Sequence, residues 1–158
     1  MNAPRILEGD LKAGNLRIAL VASRFNESVV DRLVTGAVDA LAALGADPGS
    51  LALVRVPGAF DLPPVVRHIA LSRRFDAIVA LGAVIRGDTP HFDYVAGECA
   101  AGLARIAADT GVPVAFGVLT TDTEEQALDR AGGVEGNRGA DAARAAVELA
   151  NLMRTLER

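Results

Sequence analysis

The chain has 158 residues, of which 51% are hydrophobic and 23% charged, with a formal net charge of −4 and one cysteine. That size and composition fit one globular domain, residues 1–158, with a single core, and exclude an intrinsically disordered chain. No stripe of Lys and Arg is present to bind nucleic acid, no apolar run reaches the roughly 18 residues a membrane span needs, and Cys99 has no partner for an internal disulfide.

The mean hydropathy of +0.29 is high for so short a chain. The surplus of apolar surface points to subunit contacts. Met1 to Asp10, an N-terminal extension, carries no apolar signal core, so the expected location is the reducing cytoplasm.

The elements alternate along the chain. Arg5 to Glu8 (RILE) is too short and isolated to place from pattern. Leu16 to Ser23 (LRIALVAS) is the first of four short apolar runs. Val30, Leu33, Val34, Ala37, Val38 and Leu41 then share a helical face, and Gly45 supplies a stop. Ser50 to Val56 (SLALVRV) is the second run and Ala77 to Leu81 (AIVAL) the third. Val95, Cys99, Leu103 and Ile106 mark another helix. Val112 to Leu119 (VPVAFGVL) is the fourth run. Thr123 and Gln126 have capping-box spacing. Ala143, Ala146, Val147, Ala150 and Met153 mark the last helix. Continuous apolar runs bounded by Gly, Pro or polar residues read as strands buried on both faces. Their alternation with helices predicts a layered α/β domain: a three-layer, flavodoxin-like sandwich around a four-stranded parallel sheet.

Ligands of such sheets bind beyond the carboxyl ends of the strands. The segments expected there are Ser23 to Asn26, Pro57 to Asp61, Gly82 to Phe92 and Thr120 to Asp122. Three of the five phenylalanines, Phe25, Phe60 and Phe92, fall in them, and Phe116 lies in the last strand. Gly87 to His91 carries the strongest signal. Thr89 suits an N-cap and Pro90 the first helical position. The backbone N–H groups of Asp88 and Thr89 would then sit at a helix N-terminus, which favours a phosphate. The same segment also reads as a plain capped helix start.

Each other candidate has two readings. His91 can exchange protons near neutral pH, or be a half-buried helix residue bonded to a neighbour. Phe25 can stack on a flat heterocycle or staple a helix start. Asp61 can accept hydroxyl hydrogen bonds or cap a helix before Pro63 and Pro64. Arg130 and Arg138 can grip a phosphate with their planar forks or be solvated surface charges. Phe116 fits a core as well as a site. His68 has no companion motif and reads as structural or solvent-facing, and Cys99 as a buried, inert thiol. There is no P-loop, no G-x-G-x-x-G after the first strand, no G-x-S-x-G elbow and no set of zinc ligands.

Taken together, Ser23-Arg24-Phe25-Asn26, Val56-Pro57-Gly58-Ala59-Phe60, Gly82 to Tyr94 (GAVIRGDTPHFDY), Phe116 to Thr120, Glu125-Gln126-Ala127, Asp129-Arg130-Ala131-Gly132 and Gly136-Asn137-Arg138-Gly139 resemble the lumazine synthase family. Their order and spacing cover the chain from about Asp10 to Leu156. The resemblance implies a transferase of riboflavin biosynthesis that needs no cofactor and no metal. It joins 5-amino-6-(D-ribitylamino)uracil to 3,4-dihydroxy-2-butanone 4-phosphate and releases 6,7-dimethyl-8-ribityllumazine, phosphate and water.

The resemblance also implies residue roles. Phe25 stacks on the pyrimidine. Ala59, Phe60 and Asp61 hold the ribityl side. Ala83, Val84 and Ile85 line the ring pocket. Asp88 and Thr89 cradle the phosphate, with Arg130 from an adjacent subunit and Arg138 as further phosphate ligands. His91 transfers protons, and Phe116 borders the pyrimidine across a subunit boundary. The implied assembly is a pentamer, or a shell of twelve pentamers, in which Arg5 to Glu8 adds a strand to a neighbour's sheet; riboflavin synthase is a candidate partner. The family commonly has Glu at Asp61 and Lys at Arg138. The shorter Asp61 must shift or use water to reach a hydroxyl, whereas Arg138 keeps the charge but does not give up a proton. Two rivals remain at this level: a flavin- or nucleotide-binding module without catalysis, and a shell protein without activity.

Overall fold

The computed structural model describes residues 2–158. Four parallel strands, β1 (Ile18–Ser23), β2 (Leu51–Val56), β3 (Ala77–Ile85) and β4 (Val114–Thr121), form one sheet in the order β2-β1-β3-β4. The helices are α1 (Glu27–Ala43), α2 (Leu62–Ser72), α3 (His91–Thr110), the short α4 (Glu124–Asp129) and α5 (Arg138–Leu156). All six residues of β1 are buried, as are the first eight of β3. The four-stranded flavodoxin-like sandwich expected from the sequence is therefore the observed one.

Side-chain alternation divides the core into two layers. Ile18, Leu20, Val79 and Leu81 pack toward α1 and α5. Ala19, Val21, Ile78 and Ala80 pack toward α2 and α3. The strand order explains the split. The chain steps one way from β1 to β2 through α1, then back past β1 to β3 through α2 and onward to β4 through α3. With crossover handedness constant, reversing direction puts the crossover helix on the opposite face. The reversal leaves a switch point between β1 and β3.

Several boundaries differ from expectation. Gly82 to Ile85 is strand rather than loop, because β3 stays paired with β4 from Ile78 to Ile85. Gly82 serves close approach there: a Cβ would sit 2.9 Å from Ser23 Oγ. Thr120 and Thr121 likewise belong to β4. Neither edge strand is buried throughout: Leu53 of β2 and Phe116 of β4 are exposed. Val38 also lies at the exposed margin of its helical face. The Gly-rich stretch after α4 forms a small hairpin, β5 (Ala131–Gly133) with β6 (Gly136–Asn137). Gly132 and Gly136 supply its positive φ angles of 101° and 81°. Arg5 to Glu8 forms no strand within the chain. The extension instead docks at its end: Asn151 Nδ2 donates to Asp10 O at 2.9 Å and to Lys12 O at 3.0 Å.

Asp76 ties together the end of the sheet opposite those loops. Its Oδ2 accepts from Arg17 N at 2.8 Å and lies 3.3 Å from Arg154 Nη2. Burial acts to raise its pKa, but the Arg17 backbone N–H, the Arg17 guanidinium and Arg154 together outweigh burial and hold it below the ordinary 3.8. A depressed carboxylate stabilises the fold above its unfolded pKa, and that stability is lost as pH falls through the folded pKa. Asp76→Ala is expected to cost about 1.5–3 kcal/mol at pH 7. In urea titrations the difference from the parent chain should shrink as pH drops below about 4. A difference independent of pH contradicts the charge assignment.

Candidate active site

Past the carboxyl end of β1 the ladder continues for two residues. Arg24 N donates to Val56 O at 2.8 Å and Phe25 N to Pro57 O at 3.0 Å. Asn26 then turns the chain into α1 with a left-handed φ of 63°, a conformation Asn tolerates better than most residues. Its Nδ2 donates to Ala83 O at 2.9 Å and so ties this loop to β3. Phe25 is left 73% exposed, so its ring is free of the staple reading and faces the mouth of the sheet.

After β2 the chain makes a 3-10 turn over Ala59–Asp61. Asp61 Oδ2 accepts from Gly58 N at 3.0 Å, and Asp61 N donates to Gly58 O at 3.0 Å. Asp61 occupies the position before α2, but its carboxylate turns back to the loop instead of capping that helix. The Phe60 ring stays exposed.

The segment after β3 departs from the expected cap. Helix α3 begins at His91, and Pro90, with ψ 2°, is the residue outside it. A helical ψ is near −42°, so Pro90 falls just short of the first turn and Thr89 one place further back. Asp93 N donates to Pro90 O at 3.0 Å, and the Thr89 side chain makes no capping bond. His91 is thus the first residue of the helix and lies beside its free N–H groups.

These pieces surround one cavity of about 690 Å³ at the switch point between β1 and β3, where ligands of open parallel sheets bind. Phe25 borders it from the β1 loop and Ala59, Phe60 and Asp61 from the β2 loop. Ala83, Val84 and Ile85 line it from β3, and Thr89 and His91 from the start of α3. Asp88 is exposed and does not line it. Phe116, Arg130 and Arg138 also lie elsewhere. Phe116 pairs with Ala80, three residues before Ala83, so it sits about 10 Å down the sheet from the cavity. Arg130 Nη1 donates to Gln126 O at 3.1 Å, and Arg138 Nη1 to Asp141 Oδ2 at 3.3 Å.

Among the lining residues given no individual site role on sequence grounds are Asn26, Tyr94 and Val95. Tyr94 and Val95 stand three and four positions after His91, the spacing of one helical face, and that spacing was a usable signal. Asn26 was marked only as a member of the Ser23 to Asn26 segment, with no chemistry of its own assigned. The capping box does form: Thr123 Oγ1 accepts from Gln126 N at 3.1 Å and Gln126 Oε1 from Thr123 N at 3.3 Å. His68 is exposed. Burial pushes the Cys99 thiol up to about 11, as befits an inert core residue. Among the described residues no cluster of His, Cys, Asp and Glu could hold a metal, and no helix is long and apolar enough to cross a membrane.

Fold and cavity together define a flavodoxin-like α/β protein with a partly aromatic site at its switch point. The family model described as 6,7-dimethyl-8-ribityllumazine synthase matches residues 15–154. A protein of that name from Syntrophus aciditrophicus (strain SB) is 51% identical over 153 residues, covering 97% of this chain and 99% of its own length. Another of the same name, from Nitratidesulfovibrio vulgaris (strain DSM 19637 / Miyazaki F), is 53% identical over 152 residues, 96% of this chain and 97% of its own. The chain belongs to the 6,7-dimethyl-8-ribityllumazine synthase family.

Proposed function

We propose that this chain is the transferase that condenses 5-amino-6-(D-ribitylamino)uracil with 3,4-dihydroxy-2-butanone 4-phosphate in the penultimate step of riboflavin biosynthesis. The observation that carries the reading is the single cavity holding the Phe25 ring, the Asp61 carboxylate, the Thr89 loop and the His91 imidazole in a member of this family.

The pyrimidine stacks on Phe25 beside the backbone of Ala83, Val84 and Ile85. Asp61 commits Oδ2 to Gly58 N and offers Oδ1 to a ribityl hydroxyl, with Ala59 and Phe60 alongside. The phosphate rests on the turn at Gly87 and Thr89, which line the cavity, with the backbone of Asp88, itself outside the lining, between them. The amine attacks the ketone and water leaves to give an imine. Phosphate is then eliminated, and ring closure expels a second water. His91 moves protons in these steps. Confining both substrates in one pocket supplies the larger share of the acceleration.

The lining residues include no Lys or Arg, yet a phosphate calls for a cation. In this reading Arg130, Arg138 and Phe116 complete a neighbour's cavity, and the chain works as a homo-oligomer: a pentamer or a shell of twelve pentamers. Arg5 to Glu8 then pairs with the open edge of a neighbouring β2. Residues 1–158 act as one domain, residues 1–10 its extension, in the cytoplasm, with riboflavin synthase as a partner.

Mixing the two substrates with purified protein should produce lumazine fluorescence and free phosphate; a protein that yields neither is not this enzyme. Arg130→Ala should raise KM for the sugar phosphate about 10–10²-fold, the worth of a charged hydrogen bond. Co-refolding Arg130→Ala with His91→Ala chains should give a fraction of sites with the turnover and KM of the unmutated chain, which neither variant alone shows, because some sites then hold both native groups. No restoration, with assembly confirmed by sedimentation, places Arg130 outside the shared site.

A further inference from the structure

Between β3 and α3 the chain crosses residues 87–90 without regular structure. Among the described residues no side-chain hydrogen bond involves this loop, and a Cβ at Gly87 would meet nothing within 4 Å. Its course is therefore set at its two ends. Arg86, the residue just before it, reaches across to both sides. Its backbone N–H donates to Thr121 O at 2.8 Å. Its Nε donates to Asp122 Oδ1 at 2.9 Å, and its Nη1 lies 3.6 Å from Asp93 Oδ1 in the first turn of α3. The guanidinium also lies 4.4 Å from the centre of the Phe92 ring. Asp122 is anchored in turn, because its backbone N–H donates to Gln126 Oε1 at 2.9 Å within the α4 capping box. One planar group thus joins the end of β3, the end of β4 and the start of α3.

The partners are largely exposed, the carboxylates 64% and 67%, so these pairs contribute little to global stability. Their effect is geometric. We propose that Arg86 is a positioning residue: by stacking on Phe92 and gripping Asp93 and Asp122 it sets the span of the 87–90 loop, and with it the placing of Thr89 and His91 against the phosphate of the substrate. The inference rests on the reaction assigned above. A fork and a flat face are both required, which a lysine cannot supply.

A rival account is that Arg86 attracts the phosphate simply by its charge, and the two accounts differ in sign. Under positioning, Arg86→Lys raises KM for the sugar phosphate roughly 10-fold, as Arg86→Ala does, because a displaced loop costs more than a retained charge returns. Asp122→Ala also raises it, although a negative charge has been removed. KM for the pyrimidine stays within about twofold in each case, and thermal midpoints stay near that of the parent. Under the charge account Arg86→Lys matches the parent and Asp122→Ala lowers KM; either result overturns the proposal. Calorimetric binding of inorganic phosphate is measured alongside and should weaken in the same order. If the parent protein forms no lumazine while phosphate binding still follows that order, the assigned reaction fails and the positioning role stands. If the parent is active and phosphate binds all variants equally, the positioning role fails alone.

Discussion

Replacing His91 with alanine is expected to lower turnover about 10²–10⁴-fold, the usual contribution of a positioned acid–base group, without abolishing it. His91 is exposed at the start of α3 and lines the cavity without supporting the core, so the variant should fold and melt as the parent does. The residual rate reflects what does not pass through the imidazole: confinement of both substrates, the Phe25 shelf and the phosphate cradle. KM for either substrate should move little, because the lost interaction belongs to proton transfer rather than to ground-state binding. Steady-state kinetics by lumazine fluorescence checks this. Unchanged turnover removes His91 from the role, and a rise in KM at constant kcat makes it a binding residue instead.

The largest structural effect should come from a residue that touches no ligand. A Cβ on Gly139 would overlap the backbone carbonyl oxygen of Leu33 where α5 crosses α1. Neither helix can yield there without loss. Asn137 Oδ1 accepts from Ala140 N at 3.0 Å and caps α5, while its Nδ2 donates to Arg32 O at 3.0 Å. Gly36 leaves the space that this amide fills, since a Cβ there would overlap the Asn137 side chain. Gly139→Ala therefore pushes the first turn of α5 away from α1. Overpacking a core ordinarily costs about 1–3 kcal/mol. With backbone as the opposing surface the upper end applies, a fall in melting temperature of about 6–12 °C for a domain of this size. The displacement also carries the β5–β6 hairpin, because Arg138 N donates to Arg130 O at 2.8 Å. A melting temperature equal to that of the parent shows the crossing to be looser than described.

Much of this architecture can be read from local pattern. Continuous apolar runs marked the four strands, because a strand covered on both faces has no polar side to show. The Thr123–Gln126 box was legible because it is local chemistry, two side chains answering backbone groups three residues apart. Gly82 misled as a loop signal: its missing side chain serves packing against Ser23, a long-range contact that no local window contains. The Thr89-Pro90 cap misled as well, because Pro90 has a helical φ and a non-helical ψ. Phe25 could be read as staple or shelf, and only its exposure separated the two.

The order of residue types along the chain determined the class of fold and which loops carry the aromatic, acidic and imidazole groups, since periodicity and turn chemistry are short-range properties. It also assigned the family, through motifs whose spacing spans the chain. Tertiary structure decided which of those residues meet. It gathered Phe25, Asp61, Thr89 and His91 around one cavity, and left Phe116, Arg130 and Arg138 outside it. It also revealed the brace formed by Arg86. The reason is that strand order and register bring together residues from loops more than 25 positions apart, and neither is written in any local stretch of sequence.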